Sequence, residues 1–292
     1  MDDAIRFSSD GPELPGEFLD SLLAGDVVFL CGTGVSAQMP DFLSLVHNTY
    51  KRLGLSPKPA EQEAIDQDRF EEVLGALDRR LADPLQLRRV VSELLAVPKK
   101  PDLNQHRTVL RLSHNLDNRI SVVTTNFDTL LERAATEFGH GGGANTPSLA
   151  GQALPAPGRP SFHGIVHLHG RLADADLELG ETPLVLTSTD YGDAYLRSGR
   201  ASRFLFDLVR CKVIALLGYS ASDAPFRYVL NVLEADRERF PDINQVYAFD
   251  AYEHDKEEVA RRWETLAVKA LPYCKINPKN GSADHSPLWR DL

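Results

Sequence analysis

Three short stretches of this 292-residue sequence carry groups that could act together on one small molecule. They are Cys31-Gly32-Thr33-Gly34-Val35-Ser36, Thr124-Thr125-Asn126-Phe127-Asp128 and His167-Leu168-His169-Gly170. The first is a glycine turn of the kind that holds a dinucleotide pyrophosphate, and the others supply an amide, a carboxylate and an imidazole that can work on a sugar. Because each stretch follows a short apolar run, we expect all three at the ends of β-strands.

The glycine segment fits the pattern G-x-G-x-x-G/A, with Ala37 in the last place. In that pattern the first glycine permits a tight turn and the second lets the backbone approach phosphate, while a small third residue lets helix and strand pack together. The same residues could form a turn that binds nothing. Their position directly after the apolar run 27–31 favours the binding interpretation.

A nicotinamide dehydrogenase would carry a second strand and an acidic residue about 20 residues after the glycines. Here that distance falls on 57–61, which follows a long helical pattern and contains no strand pattern. The sequence therefore gives little support to hydride transfer.

Asn126 and Asp128 come at the carboxyl end of a predicted strand over 120–124, where ligands of open α/β sheets bind. Either side chain could instead cap the following helix, and both roles can coexist. His169 ends another predicted strand, over 165–168, and a structural role in the core is the alternative for it.

A metal site is the other interpretation of the histidines. His163, His167 and His169 alternate along one strand and would lie on the same side of it. No cysteine or acidic group accompanies them as further ligands, and the three cysteines of the chain form no Cys-x-x-Cys pair. We predict no metal.

Composition excludes several classes of protein. The net charge of −10 argues against a protein that mainly binds nucleic acid. No apolar run approaches the roughly 20 residues of a membrane-spanning helix, so we expect no membrane partner. A polar, acidic amino terminus and few cysteines predict a protein of the cytoplasm.

Strand and helix patterns alternate along most of the chain. The strand patterns lie at 27–31, 120–124, 165–168, 184–187, 212–218 and 246–249, with a further edge strand allowed near 271–276. This alternation predicts an α/β fold, a Rossmann-like and mostly parallel sheet with helices on both faces.

Two regions depart from the alternation. Residues 61–97 read as two or three helices without a strand, and we predict a single domain over 1–292 with a helical insertion over 55–117. Residues 139–160 are rich in glycine and proline and predict a loop or a lid. The helices could form an oligomer contact, or simply pack.

The ordered motifs resemble those of the sirtuin-like domains of bacterial antiphage defence proteins, over about residues 25 to 250. Besides the three stretches above, the resemblance includes Pro40 and Phe42, the segment 184–187 with Asp190-Tyr191, and the segment 217–223. Six motifs in the same order make it specific.

The resemblance implies roles for individual residues. In sirtuins the glycine stretch cradles the pyrophosphate of NAD, which here falls on Gly32, Thr33, Gly34, Val35 and Ser36. The asparagine of the T-x-N-x-D motif holds the nicotinamide ribose and its aspartate the carboxamide, and the histidine before glycine is the base on the ribose hydroxyl. By this analogy Asn126 and His169 are catalytic and Asp128 binds NAD. The adenosine half would be lined by Gly218, Ser220 and Asp223.

One departure bears on the reaction. Protein-deacylating sirtuins bind a structural zinc through four cysteines, which this sequence lacks. Defence-type relatives also lack this zinc ribbon and typically hydrolyse NAD. The resemblance therefore implies an NAD+ hydrolase (NAD+ nucleosidase) that uses NAD as substrate, needs no metal and depletes cellular NAD. An NAD-dependent deacylase or ADP-ribosyltransferase, and a non-catalytic NAD or ADP-ribose sensor, remain alternatives.

Such an enzyme must be restrained until it is needed. The sequence shows no large sensor domain beside the motifs. We therefore expect activation through a homo-oligomer, a separate activating or sensor protein, or both.

Overall fold

A computed structural model describes residues 4–117, 119–137, 146–155, 162–219, 230, 244–276 and 282–292. Within these ranges the strands are β1 (Ile5–Arg6), β2 (Glu13–Leu14), β3 (Val27–Cys31), β4 (Ser121–Thr124), β5 (Ser148–Ala150), β6 (Gly164–His167), β7 (Val213–Leu217), β8 (Val246–Tyr252) and β9 (Lys269–Cys274). The helices are α1 (Gly16–Leu23), α2 (Phe42–Leu53), α3 (Pro59–Asp66), α4 (Phe70–Asp78), α5 (Gln86–Leu94), α6 (Asn104–Leu112), α7 (Leu130–Glu137), α8 (Ser188–Tyr191), α9 (Arg200–Cys211), α10 (Lys256–Glu264) and α11 (Ser286–Asp291).

Seven strands form one sheet in the order β5-β6-β4-β3-β7-β8-β9, and every neighbouring pair is parallel. The chain runs from β3 to β4 on one side and later returns to β7 on the other side of β3. The carboxyl ends of β3, β4 and β7 therefore meet at a switch point, where open α/β sheets bind ligands. The prediction of a Rossmann-like parallel sheet is confirmed.

The central strands are apolar throughout because both faces of the sheet are covered. All five residues of β3 are buried. Val27, Phe29 and Cys31 pack into the core on one face, whereas Val28 and Leu30 pack into the core on the other. Side chains of a strand point alternately to its two faces, so a continuous apolar run marks a strand buried on both sides.

The prediction of a strand over 184–187 is wrong. These residues are buried, and the Val185 N–H donates to the carbonyl of His169 at 2.8 Å, but they belong to no strand. Their neighbour is the loop that follows β6. An apolar run reports burial and does not distinguish a sheet strand from a segment buried against a loop.

The glycine- and proline-rich region 139–160 lies partly outside the described residues. Its described part contains β5 and a 3-10 turn over Gly151–Ala153, rather than only a loop. A three-residue strand at the sheet edge is too short to show an alternating pattern, so no local pattern predicts it. The sequence also predicts a helix over 223–235, after the strand over 212–218. These residues lie outside the described ranges, apart from the buried Leu230.

Residues 61–97 contain three helices, as the spacing of their apolar residues predicts. These helices have a hydrophobic core of their own, which includes Leu74, Leu77, Leu87 and Val91. The same core takes in residues of α2 and the segment 184–186. The division of the chain into one domain with an insertion over 55–117 stays a prediction.

The loops that follow β3 and β7 are in direct backbone contact. Gly34 N–H donates to the carbonyl of Gly218 at 2.9 Å, and Gly32 N–H donates to that of Leu217 at 3.0 Å. A Cβ on Gly34 would lie 2.7 Å from the Gly218 Cα, and one on Gly32 would lie 2.4 Å from the Gly218 oxygen. Only glycine allows two backbones to approach this closely.

In the part of the chain that the structure describes, every helix is too short or too polar to cross a membrane. The same residues contain no group of histidine, cysteine and acidic side chains arranged to bind a metal.

Replacing Gly218 with alanine tests the contact between the loops. Gly218 has φ of +60°, and an added Cβ would lie 2.5 Å from the Val35 nitrogen. We expect the free energy of unfolding to fall by about 3 kcal/mol or more, from backbone strain plus overlap. Gly54→Ala is the matched control because Gly54 has φ of +65° and no atom within 4 Å of the added Cβ. Gly54→Ala should lower the free energy of unfolding, measured by urea denaturation, by only about 1 kcal/mol. An equal loss in the two variants would contradict the packing argument.

Candidate active site

A cavity of about 420 Å³ lies at the carboxyl ends of β3, β4, β6 and β7. The residues from the sequence analysis that line it are Gly32, Thr33, Ser36, Asn126, Asp128, His169 and Gly218. Its volume falls in the range of roughly 300–1,000 Å³ that is common for small-molecule sites. The structure thus brings together groups that are up to 186 residues apart in the sequence.

Two of the other predicted residues are placed differently. Gly34 and Val35 do not line the cavity, and the Val35 side chain is buried in the core under the sheet. Ser220 and Asp223 lie outside the described residues.

Asn126 is held at three points. Its N–H donates to the Thr124 hydroxyl at 3.0 Å, and its side-chain Nδ2 donates to the Gly32 carbonyl at 3.0 Å and to the Ser36 hydroxyl at 3.2 Å. These bonds fix the plane of the side-chain amide through its Nδ2 atom. The Oδ1 atom is the opposite end of the same amide. Oδ1 is buried and has no hydrogen-bond partner among the residues described. An unsatisfied buried acceptor costs about 1–3 kcal/mol, so this atom indicates a place for a donor from a ligand or water.

The Ser36 hydroxyl joins three polar side chains. It accepts from Asn126, lies 3.1 Å from His106 Nε2, and hydrogen-bonds to the Asp128 carboxylate. A hydroxyl has one proton to donate and two lone pairs. The arrangement is satisfied when Ser36 donates to Asp128 and accepts from both Asn126 and His106.

Asp128 caps a helix and also lines the cavity. Its Oδ1 accepts the N–H of Leu130 at 3.1 Å and so caps α7. The sequence predicts a helix over 127–138 after the Asn126 strand end, but because of this capping the helix begins at Leu130. Burial raises the pKa of Asp128, and the hydrogen bonds from Leu130 and Ser36 lower it in part.

Two histidines that are two residues apart have opposite surroundings. His167 is fully buried, and its Nε2 lies 2.6 Å from the Glu132 carboxylate while Nδ1 lies 2.9 Å from the Asn126 carbonyl. Burial opposes charge on His167, but Glu132 outweighs it and raises the pKa. His169 has a tyrosine hydroxyl, that of Tyr195, at 2.7 Å from Nε2. There burial acts unopposed and lowers the pKa of His169 to about 3.

His163, the third histidine of the alternative metal interpretation, has a different contact. Its Nδ1 lies 3.1 Å from the carbonyl of Ile120. The rings of His163, His167 and His169 thus contact three different partners rather than one common point.

The N–H groups of the glycine turn are engaged within the protein. Gly32 and Gly34 donate to the β7 end, and Val35 donates to the Gly32 carbonyl at 3.1 Å. The main role of Gly32 and Gly34 is therefore to let the loops after β3 and β7 pack closely together. Thr33 and Ser36 are the members of the turn whose side chains or backbone line the cavity together with Gly32.

The helical block 61–97 forms part of the cavity wall. Asp68, Phe70 and Glu71 line the cavity beside Asp41, and no lysine or arginine is found among the described lining residues. The described part of the wall offers phosphates hydroxyl and N–H groups.

The sequence analysis missed His106 and Tyr195. His106 lies on α6 three and four residues before the buried Val109 and Leu110, on the apolar face of the helix. A histidine at that spacing is a signal for a buried, neutral imidazole. Tyr195 offered no comparable signal because its partner comes from a different segment.

His106 makes stability depend on pH. Burial lowers its pKa to about 4, from 6.5 in the unfolded chain, so the unfolded state binds the proton first as the pH falls. We expect this group to remove about 2 kcal/mol of stability between pH 7 and pH 5. His106→Gln keeps a donor for Ser36 and does not titrate, so urea denaturation should show a smaller loss for the variant. Exposed His47→Gln is the control, and an equal loss in wild type and His106→Gln would contradict a buried neutral His106.

Comparison with known proteins gives two matches. The family model of the SIR2-like domain matches residues 120–271, just over half of the chain. The chain is also 50% identical, over 289 residues, to the uncharacterized protein y4cA of Sinorhizobium fredii (strain NBRC 101917 / NGR234). That match covers 99% of the chain and 24% of the relative, so the chain spans about a quarter of the relative's length. With its parallel sheet and its ordered motifs, the chain belongs to the SIR2-like domain family, whose members are NAD-dependent enzyme domains.

Proposed function

We propose that the chain hydrolyses NAD+ to nicotinamide and ADP-ribose. The observation that carries the proposal is the Asn126 side chain, whose donor end is held by Gly32 and Ser36 while its buried acceptor end has no partner within the described chain. Asn126 and His169 both line the cavity. A ribose hydroxyl or a water is the donor that would pair with this acceptor end.

The chemistry requires little acid catalysis. Nicotinamide is a pyridinium cation in NAD+ and leaves as a neutral molecule, so its bond to ribose can break without protonation. The ribose carbon becomes oxocarbenium-like, as in glycoside hydrolysis, and water then attacks it. The site must orient the ribose, stabilise the positive carbon and place the water.

Asn126 and His169 divide this task in the proposal. Asn126 Oδ1 accepts from the ribose hydroxyl or the attacking water, and a fixed acceptor costs nothing to reorganise during the reaction. His169 is neutral at pH 7, because burial lowers its pKa to about 3, and it can accept the proton of the ribose hydroxyl. Asp128 accepts from the carboxamide of nicotinamide.

NAD enters this scheme as a substrate. The four carboxylates of the described wall suit a pyridinium cation better than an anionic second substrate, since Asp41, Asp68, Glu71 and Asp128 share the cavity without a basic side chain. The pyrophosphate would lie along Thr33 and Ser36, and the adenosine half along Gly218, with Ser220 and Asp223. The proposal assigns no role to a metal.

The biological role rests on the resemblance of the motifs. We propose that the hydrolase is an antiviral defence effector, which depletes NAD in the cell, and that a homo-oligomer or a separate partner activates it. The relative's additional length leaves room for such a partner within a longer protein of this kind.

Removal of either proposed catalytic side chain should abolish turnover. For Asn126→Ala and His169→Ala we expect nicotinamide release to fall by about a hundredfold or more, because each loses a group that acts on the ribose. Asn104→Ala, on the exposed side of α6, is the matched control and should keep the wild-type rate. Rates are measured by chromatography and thermal unfolding is measured on each variant. An Asn126→Ala protein that is folded and consumes NAD at the original rate would refute the assignment.

The products distinguish hydrolysis from the alternatives. The purified protein is incubated with NAD and an acetylated peptide, and we expect nicotinamide and free ADP-ribose in equal amounts. A deacylase would form acetyl-ADP-ribose, an ADP-ribosyltransferase would leave ADP-ribose attached to protein, and a sensor would release no nicotinamide. Any of these three outcomes would replace the proposal.

A further inference from the structure

His169 has an aromatic partner that does not line the cavity. The hydroxyl of Tyr195 lies 2.7 Å from His169 Nε2, and the two rings meet edge to face at 5.8 Å and 71°. Both side chains are buried, with 5% and 4% of their surface exposed. Tyr195 therefore acts on the cavity through the side chains that it contacts, and His169 is one of them.

A second tyrosine fixes the same imidazole from the cavity side. Tyr191 lines the cavity and meets His169 edge to face at 5.1 Å. The Tyr191 and Tyr195 rings are almost parallel, at 9° and 5.8 Å. The imidazole edge thus packs against a pair of aligned phenol rings, which restricts its rotation.

The segment that carries both tyrosines is anchored to the helical block. Asp190 caps α8 through Thr187 and also accepts from Arg88 of α5, at 2.9 Å. The chain then winds as a π-helix over Gly192–Arg197. Single π-helical turns are rare and frequently occur at functional sites, where they change the direction of a side chain. Here the wider turn includes Tyr195.

We propose that Tyr195 is a positioning residue for His169, setting the rotation and the tautomer with which the imidazole meets the ribose. This inference rests on the proposed NAD hydrolysis. Tyr195 is an addition to the proposed catalytic residues that neither the motifs nor the cavity lining indicate.

A hydroxyl suits this role because its oxygen accepts from Nε2–H, and in that tautomer Nδ1 carries no proton and is the nitrogen that can act as the base. When His169 takes the proton of the ribose hydroxyl, the O–H bond breaks, an N–H bond forms on the ring, and the ring becomes a cation with N–H on both nitrogens. The Tyr195 oxygen then accepts from Nε2–H, so the contact persists through the step. A carboxylate would instead favour the charged ring beforehand, in the way that Glu132 raises the pKa of His167.

The test is Tyr195→Phe, which keeps the ring and removes only the hydroxyl. The chain provides a closely matched control in Tyr273, whose hydroxyl lies 2.8 Å from His285 Nδ1 with the rings at 5.9 Å and 66°. Neither residue of that second pair lines the cavity. For Tyr195→Phe we expect kcat for NAD to fall about tenfold while KM changes less than about twofold, because the lost bond acts on the base and not on substrate binding. Tyr273→Phe should change neither constant.

Two results would overturn the inference: a wild-type kcat in Tyr195→Phe, or an equal loss of kcat in both variants, which would indicate a general structural effect. A wild-type protein that releases no nicotinamide would instead refute the proposed hydrolysis. In that case the ¹⁵N signals of the His169 ring, assigned with His169→Gln, test Tyr195 without turnover. We expect one tautomer in wild type and a mixture in Tyr195→Phe, and identical signals would refute the positioning role.

Discussion

The close approach of the loops after β3 and β7 is the constraint on which the site depends. Gly34 lies against Gly218 with no room for a Cβ, and the two backbones are joined by hydrogen bonds. This contact fixes the Gly32 carbonyl, which in turn accepts from the Asn126 amide. The glycines thus matter first as parts of a tightly packed junction. Their effect on a ligand follows because that junction orients the groups around it.

A buried polar network extends from this junction. Asn126 is fixed through its side chain by Ser36 and through its carbonyl by His167, and each of these has a buried partner of its own in His106 and Glu132. Buried polar groups are stable only when they are paired, so the atoms of this network without a partner among the described residues, Asn126 Oδ1, His106 Nδ1 and Glu132 Oε2, carry a cost. In the proposed reaction a donor on the substrate would pair with Asn126 Oδ1 and offset part of that cost.

Local patterns predicted the fold well where burial follows a simple period. The strand over 27–31 has the predicted bounds, because it is buried on both faces. The long helical pattern before 57–61 is the helix Phe42–Leu53, since Asp41 caps this helix and Gly54 ends it. Prediction failed for 184–187, whose apolar run packs against a loop. It also failed for the start of α7, because the Asp128 side chain caps the helix and the helix begins at Leu130, later than predicted. These outcomes depend on contacts with distant parts of the chain.

For the site, the sequence by itself determined the chemical groups and their place at strand ends. It identified Asn126, Asp128 and His169, because parallel strands bring their carboxyl ends to one edge of the sheet. Only the tertiary structure decided what controls each group. His167 and His169 are alike in sequence, yet one faces a carboxylate and the other a hydroxyl, from residues 35 and 26 positions away. A side chain's charge and orientation depend on the neighbours that folding supplies, and no local pattern records them.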